Sequence, residues 1–197
     1  MVSAVESLSD RVLAILDKGH TRADIVTALG LVRAAGMSLR PTFVAFTPWT
    51  TIEDYLELCA FIRAHHLDDE VDPIQLAIRL LLPPGSLLLA RPELGPHLGA
   101  LDEGALAYRW SHPDPRMDRL ATEVMAICER AAAAAEDPGR TFVEIHTCAA
   151  RIAGIQVPER SAEAGRRRTA PPRLSEAWFC CAEPTTLQLR SAGGDHT

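Results

Sequence analysis

The first half of the chain alternates between short apolar runs and longer stretches whose apolar residues recur every three or four positions. The short runs, which predict strands, are residues 1–6, 39–46 and 74–82. The intervening periodic stretches predict helices that begin at the capping patterns of residues 7–10, 21–24 and 50–53. Strands that alternate with helices in this way are typical of parallel sheets, so the sequence predicts an α/β fold.

The third predicted strand has two different faces. One face is apolar, whereas Gln75 and Arg79 lie on the other with Ala77 between them. In a barrel this second face would line the lumen, where polar groups contact a ligand. Alternatively, the two polar residues mark an edge strand that water reaches on one side. Three parallel strands also leave unpaired amides at both edges, so we expect further strands before Met1.

The second half of the chain is less regular. Residues 90–118 are rich in proline and glycine and predict irregular structure, and residues 117–135 predict a long helix. Residues 141–152 fit either a helix or a strand. The predicted divisions are residues 1–90 as an α/β unit, 91–158 as a largely helical extension, 159–173 as an exposed linker and 174–197 as a compact tail.

Composition narrows the class of protein. The chain has 197 residues, of which 47% are apolar and 23% charged, as in one globular domain with an appended tail. Its net charge of −6 makes nucleic acid an unlikely partner, because phosphate binding needs a basic field. The sequence shows neither a long apolar span nor a secretory signal pattern, and its five widely spaced cysteines do not form a disulfide framework. We therefore expect a cytoplasmic protein without a membrane partner.

Some residues could carry chemistry. The adjacent thiols of Cys180 and Cys181 could bind a soft metal, form a strained disulfide or attack an oxidised partner. They could equally be two small apolar residues in a docking segment. Trp49 follows a predicted strand, where it could stack on a ligand or fill the rim of the sheet. His20, in the Lys-Gly-His run at a predicted helix end, could be a base or ligand, or could simply favour the helix dipole.

Four segments together resemble the radical SAM proteins that carry a CUAEP or CCAEP tail. They are Val-Glu-Ser-Leu-Ser-Asp from Val5, Lys-Gly-His-Thr from Lys18, the run from Leu39 to Thr51 that includes Phe-Thr-Pro-Trp-Thr-Thr, and Trp-Phe-Cys-Cys-Ala-Glu-Pro-Thr from Trp178. The resemblance matches the C-terminal half of that family. It implies that residues 1–90 form strands four to six of a partial β/α barrel of radical SAM type, followed by a helical and irregular C-terminal extension.

The resemblance also implies a chemistry that this chain cannot perform by itself. In the family, a Cys-x3-Cys-x2-Cys loop in the N-terminal half binds a [4Fe-4S] cluster, which reduces S-adenosylmethionine to a radical that abstracts hydrogen from the substrate. That cysteine spacing is absent from this sequence. We therefore expect no cofactor on this chain alone, and S-adenosylmethionine and [4Fe-4S] in the full-length protein. The expected partners are the missing half, or a protein that supplies it, and a peptide or small-molecule substrate.

The family likeness assigns roles to individual residues. Glu6 and Ser7, at the end of the presumed fourth strand, would contact the ribose or amino acid part of S-adenosylmethionine. Gln75 and Arg79 would line the lumen as further cofactor-binding residues, and Trp49 would meet the substrate at the barrel mouth. No metal ligand is expected in this chain.

The tail would bring Cys180 and Cys181 to the substrate as catalytic thiols. They could act there as a redox relay, a hydrogen-atom donor or a substrate holder. Two other interpretations stay open. One is a stand-alone binding module without catalysis, and the other is a vicinal dithiol redox protein that uses only this cysteine pair.

Overall fold

A short parallel sheet begins the fold. The computed structural model describes residues 1–155, in which strand β1 (Val2–Glu6) pairs in parallel with strand β2 (Arg40–Phe43). The main-chain N–H of Val44 donates to the carbonyl of Glu6 at 2.9 Å, a distance typical of such hydrogen bonds. The predicted strands over residues 1–6 and 39–46 are therefore confirmed, the second over a shorter length.

A third parallel segment joins on the other side of the β2 chain. The N–H of Phe46 donates to the carbonyl of Ile78 at 3.0 Å, and the carbonyl of Phe46 accepts from the N–H of Leu80 at 2.8 Å. These two bonds make a parallel bridge between Phe46 and Arg79. Three chain segments thus run parallel and side by side in sequence order.

The predicted strand over residues 74–82 is wrong for its first part. Pro73–Leu76 is a 3-10 helix, because the Asp72 side chain accepts from the N–H of Ile74 and Pro73 occupies the first helical position. Strand pairing in this stretch is limited to the bridge residues Arg79 and Leu80. Gln75 and Arg79 consequently do not share one face of a strand.

Helices connect the parallel segments. They are α1 (Asp10–Ile15), α2 (Arg22–Ala34) and α3 (Ile52–Ala64). The predicted capping box at Thr21 and Asp24 is confirmed. The box before α3 lies one residue later than predicted, between Thr51 and Asp54.

The predicted box before α1 does not form. Ser9 is the N-cap and makes no side-chain cap bond. The Ser7 hydroxyl oxygen instead accepts from the N–H of Ser9 at 3.1 Å, so it holds the turn that leaves β1.

An antiparallel hairpin occupies the region where irregular structure was predicted. It consists of β3 (Leu98–Asp102) and β4 (Ala107–Trp110). The Asp102 carboxylate closes its turn by accepting from the N–H of Ala105 at 3.0 Å. Short strands with few β-branched residues gave little signal in the sequence.

Two long helices complete the described residues. The predicted helix over residues 117–135 is confirmed as α4 (Pro115–Ala133), and the ambiguous residues 141–152 belong to α5 (Pro138–Ala153). Asp137 caps α5 through the N–H of Arg140, and Pro138 starts its first turn. The two helices pack against each other and against the 3-10 helix of residues 73–76, and α5 also packs against α3. Tyr55 is fully buried in the core and donates its hydroxyl to the carbonyl of Leu76 at 2.8 Å.

The architecture is mixed α/β, as predicted, and residues 1–155 do not close into a barrel. Within the same residues no helix combines the length and the apolar character needed to cross a membrane. The predicted linker (159–173) and tail (174–197), with Cys180 and Cys181, lie outside the described residues.

Candidate functional site

The carboxyl end of β1 holds a backbone geometry that is costly for a residue with a side chain. Glu6 has φ = 67°, in the left-handed region that favours glycine. The N–H of Ser7 donates to the carbonyl of Val5 at 2.8 Å, so the chain makes a γ-turn centred on Glu6. Strained non-glycine residues of this kind cluster at functional sites. Carboxyl ends of parallel strands are also where α/β folds bind their ligands.

The side chain of Glu6 is buried as one half of an ion pair. Its Oε1 lies 2.9 Å from Nζ of Lys18, and the exposed fractions are 8% for the Glu6 side chain and 35% for Lys18. Burial of a carboxylate without a partner would be strongly unfavourable, and the ion pair with Lys18 offsets this cost. At the end of β1, the ammonium group of Lys18 is therefore partly exposed, whereas the carboxylate of Glu6 is buried.

His20 ties the same loop to the strand. Its Nε2 lies 3.2 Å from the carbonyl oxygen of Val5, and its Nδ1 lies 3.2 Å from the carbonyl oxygen of Lys18. The loop between α1 and α2 therefore contacts the γ-turn through two side chains, Lys18 at Glu6 and His20 at Val5. These contacts favour the interpretation of His20 as a structural group that shapes the site.

The end of the second parallel segment is built by two buried threonines. The Thr47 hydroxyl oxygen accepts from the N–H groups of Trp49 and Thr50, at 3.2 and 3.1 Å, and bonds to the Thr50 hydroxyl at 2.8 Å. These bonds satisfy main-chain donors just before α3 begins. The Phe-Thr-Pro-Trp-Thr-Thr run is thus a rigid connection from a parallel segment into a capped helix.

Trp49 does not project into solvent. Its side chain is buried, and its indole N–H donates to the carbonyl of Glu93 at 3.1 Å. A substrate could stack on this ring only after the chain around Glu93 moves away. The expected role of Trp49 at a substrate site therefore depends on a movement of that segment.

Arg79 fastens the hairpin and α4 to the third parallel segment. Its guanidinium pairs with the Asp118 carboxylate at 2.9 Å, donates to the carbonyl of Trp110 at 3.3 Å and lies 4.0 Å from the centre of the Trp110 ring. The Trp110 indole N–H in turn donates to the carbonyl of Leu80 at 2.8 Å. Several bonds thus meet at one junction where three parts of the chain join.

The predicted site residues therefore fall into separate places. Glu6 and Ser7 lie together at the end of β1, whereas Gln75 is buried and accepts from the N–H of Phe43 at 3.0 Å. Arg79 belongs to the junction with Trp110. The structure also adds Lys18, which we did not single out by its charge. A lysine shortly after a carboxylate that ends a strand is the signal that could have identified it.

The described cysteines have chemistry unlike that of cluster ligands. Burial raises the pKa of the Cys59 and Cys128 thiols to about 12, and burial together with the Glu123 carboxylate raises the pKa of Cys148 to about 11. These thiols are therefore protonated near neutral pH, whereas iron is held by thiolates. Within residues 1–155 no three histidine, cysteine or acidic side chains gather as a possible metal site.

The strain at Glu6 makes a testable prediction. Glu6→Gly and Glu6→Ala both remove the carboxylate, but only glycine relaxes the left-handed backbone. We expect the glycine variant to unfold with a free energy about 1–2 kcal/mol higher than the alanine variant in denaturant titrations. At an ordinary strand position alanine is the more stable of the two, so an alanine variant of equal or greater stability would show that the turn is unstrained.

Models of protein families, curated proteins and solved structures all give no match.

Proposed function

We propose that this chain is the C-terminal portion of a radical SAM enzyme of the CCAEP-tail type, which acts on a peptide or small-molecule substrate. The observation that carries the proposal is the strained, buried Glu6 at the carboxyl end of the first of three parallel segments. The four sequence segments that resemble the family include this residue and the loop that holds it.

The order of the parallel segments supports the proposal. Neighbours in sequence are neighbours in space, with helices between them, which is the arrangement of a β/α barrel wall. Among residues 1–155, β1 pairs only with β2, and its first residue Val2 is 53% exposed. The outer edge of β1 is where preceding strands of a barrel would add.

Glu6 and Ser7 have chemistry that suits part of S-adenosylmethionine. A carboxylate accepts hydrogen bonds from ribose hydroxyls or an ammonium group, and a serine hydroxyl both donates and accepts. Lys18 already neutralises Glu6 and is itself partly exposed. In our proposal Glu6 holds and orients the bound molecule, and Lys18 holds the Glu6 carboxylate in place.

The iron–sulfur cluster does not fit the residues that the structure describes. Cys59, Cys128 and Cys148 are buried, and the pKa of each thiol is raised. They lie on three different helices, α3, α4 and α5. In our proposal the cluster ligands belong to the missing half or to a partner protein. The catalytic role of Cys180 and Cys181 stays a prediction, as does contact between Trp49 and the substrate. The cofactor-binding roles of Gln75 and Arg79 also stay predictions.

The size of the native protein tests the proposal. An antibody against residues 174–197 would detect the protein on a denaturing gel of the source cells. We expect a band near twice the 21.4 kDa of this chain, or a 21.4 kDa band that co-purifies with a second protein. In either case the anaerobically purified material should contain a [4Fe-4S] cluster and lose it when the added half or partner is removed.

Two results would contradict the proposal. A lone 21.4 kDa chain without iron that melts cooperatively as a monomer would favour a stand-alone binding module. A lone chain that oxidises a dithiol substrate and loses this activity in Cys181→Ser would favour the vicinal dithiol protein. The variant Cys128→Ser is the matched control, because its thiol is buried and protonated.

A further inference from the structure

One segment crosses the carboxyl ends of the parallel segments. It is residues 86–97, between the third parallel segment and the hairpin, and three of its residues reach back to earlier parts of the fold. Nη2 of Arg91 lies 3.1 Å from the Asp17 carboxylate. The carbonyl of Glu93 accepts from the Trp49 indole, and the Leu94 side chain is fully buried.

These contacts place the segment over the candidate site. Asp17 is adjacent to Lys18, which pairs with Glu6 at the end of β1. Trp49 follows the end of the second parallel segment. A chain that touches both positions spans the loops at the carboxyl ends of two neighbouring parallel segments.

We propose that residues 86–97 form a lid that opens to admit a ligand to this edge of the sheet. Burial of the Trp49 ring and its bond to the lid describe the closed state. Opening would free the Trp49 ring and release Asp17, the neighbour of Lys18, from Arg91. The proposal concerns access to the site and does not depend on which reaction occurs there.

The attachments of the lid are unequal in a way that permits opening. The ion pair between Arg91 and Asp17 is exposed, at 40% and 81% for the two side chains, so water competes for both charges. Gly85, just before the lid, has φ = 85°, a conformation suited to a hinge. Leu94 is the one apolar side chain of the lid that is fully buried, and Leu88 and Leu89 pack against the core while partly exposed, so Leu94 is the main apolar contact that opening must break.

The chain contains an internal comparison for testing the lid. Trp49 and Trp110 are similarly buried, at 4% and 7% exposed, and each donates its indole N–H to a main-chain carbonyl. Only the acceptor of Trp49, Glu93, lies in the lid, whereas Trp110 donates to Leu80. Local opening should release the first indole and leave the second protected.

Hydrogen exchange of the indole N–H groups, followed by NMR on the full chain, makes the comparison. We expect the Trp49 indole to exchange at least about tenfold faster than that of Trp110. Arg91→Gln should raise the exchange rate of the Trp49 indole N–H a further two- to fivefold, roughly, and leave the exchange rate of the Trp110 indole unchanged. Arg109→Gln is the matched control, since it removes an exposed ion pair with Asp102 outside the lid.

Equal exchange rates for the two indoles would overturn the proposal, because both would then be released only by global unfolding. An Arg91→Gln variant that accelerates both indoles equally would do the same. These exchange rates do not depend on whether the protein is a radical SAM enzyme. The lid proposal and the proposed function can therefore be contradicted independently.

Discussion

The free energy of unfolding should fall steeply when the pH rises above about 9. Burial raises the pKa of Cys59 and of Cys128 from 9.0 to about 12 in the folded protein. Between these values the unfolded thiols have lost their protons while the folded ones keep them. The unfolded state therefore binds fewer protons, and stability decreases with pH by about 1.4 kcal/mol per pH unit for each thiol.

The two thiols together amount to about 3 kcal/mol per pH unit, which is a large share of the stability of a small domain. Tyr55 has a pKa raised well above 10.0 by burial and adds to the loss at higher pH. Below pH 9 these groups are protonated in both states, so they cause no change in stability there. Denaturant titrations of reduced protein from pH 7 to pH 11 would measure the slope.

The double variant Cys59→Ala and Cys128→Ala is the control for this prediction. We expect it to be less stable at pH 7, because two buried side chains become smaller, but to lose stability more gradually above pH 9. Cys180 and Cys181 are present in both proteins and cancel in the comparison. Parallel curves for the two proteins would mean that the two thiols are not buried as the structure places them.

Trp110→Ala should lower the free energy of unfolding by about 3–5 kcal/mol. The substitution removes a buried ring, the indole donor to the carbonyl of Leu80 and the surface on which Arg79 lies. The guanidinium of Arg79 would lose its stacking contact at the junction of the hairpin with the third parallel segment. Chemical denaturation followed by circular dichroism would measure the change.

Arg109→Ala provides a comparison on the same strand. Its side chain is exposed and pairs with Asp102, so we expect a change below about 1 kcal/mol. If Trp110→Ala cost no more than this variant, the hairpin would contribute little to the stability of the fold.

Part of this structure could be predicted from local sequence signals. The capping box at Thr21 and Asp24 and the periodic apolar residues of α4 specify their helices locally, and both predictions are confirmed. The prediction of the third strand was wrong for its first part, because it rested on the alternation of apolar and polar residues over 74–82. Asp72 and Pro73 start a 3-10 helix there instead. In such a short segment the strand propensity of the residues competes with helix capping, and here the Asp72 cap determines that residues 73–76 are helical.

The site was only partly visible in the sequence, for a different reason. The resemblance pointed to Glu6 and Ser7, but the γ-turn and the ion pair with Lys18 depend on how the α1–α2 loop folds back. Contacts between residues distant in sequence, such as Arg79 with Asp118, carry no periodic signal. Gln75 was expected in a lumen because its polar side chain interrupts an apolar run, whereas it satisfies a buried main-chain donor of Phe43.

The position of β1 at the edge of the sheet has a consequence for synthesis of the protein. β1 ends at Glu6 and its partner β2 begins at Arg40, so β1 leaves the ribosome well before the strand with which it pairs in the structure. During that interval the edge of β1 that β2 later covers is an open template for intermolecular strand addition. Slow translation or a high rate of expression would therefore promote aggregation through this segment, and a chaperone that shields nascent chains would increase the soluble yield.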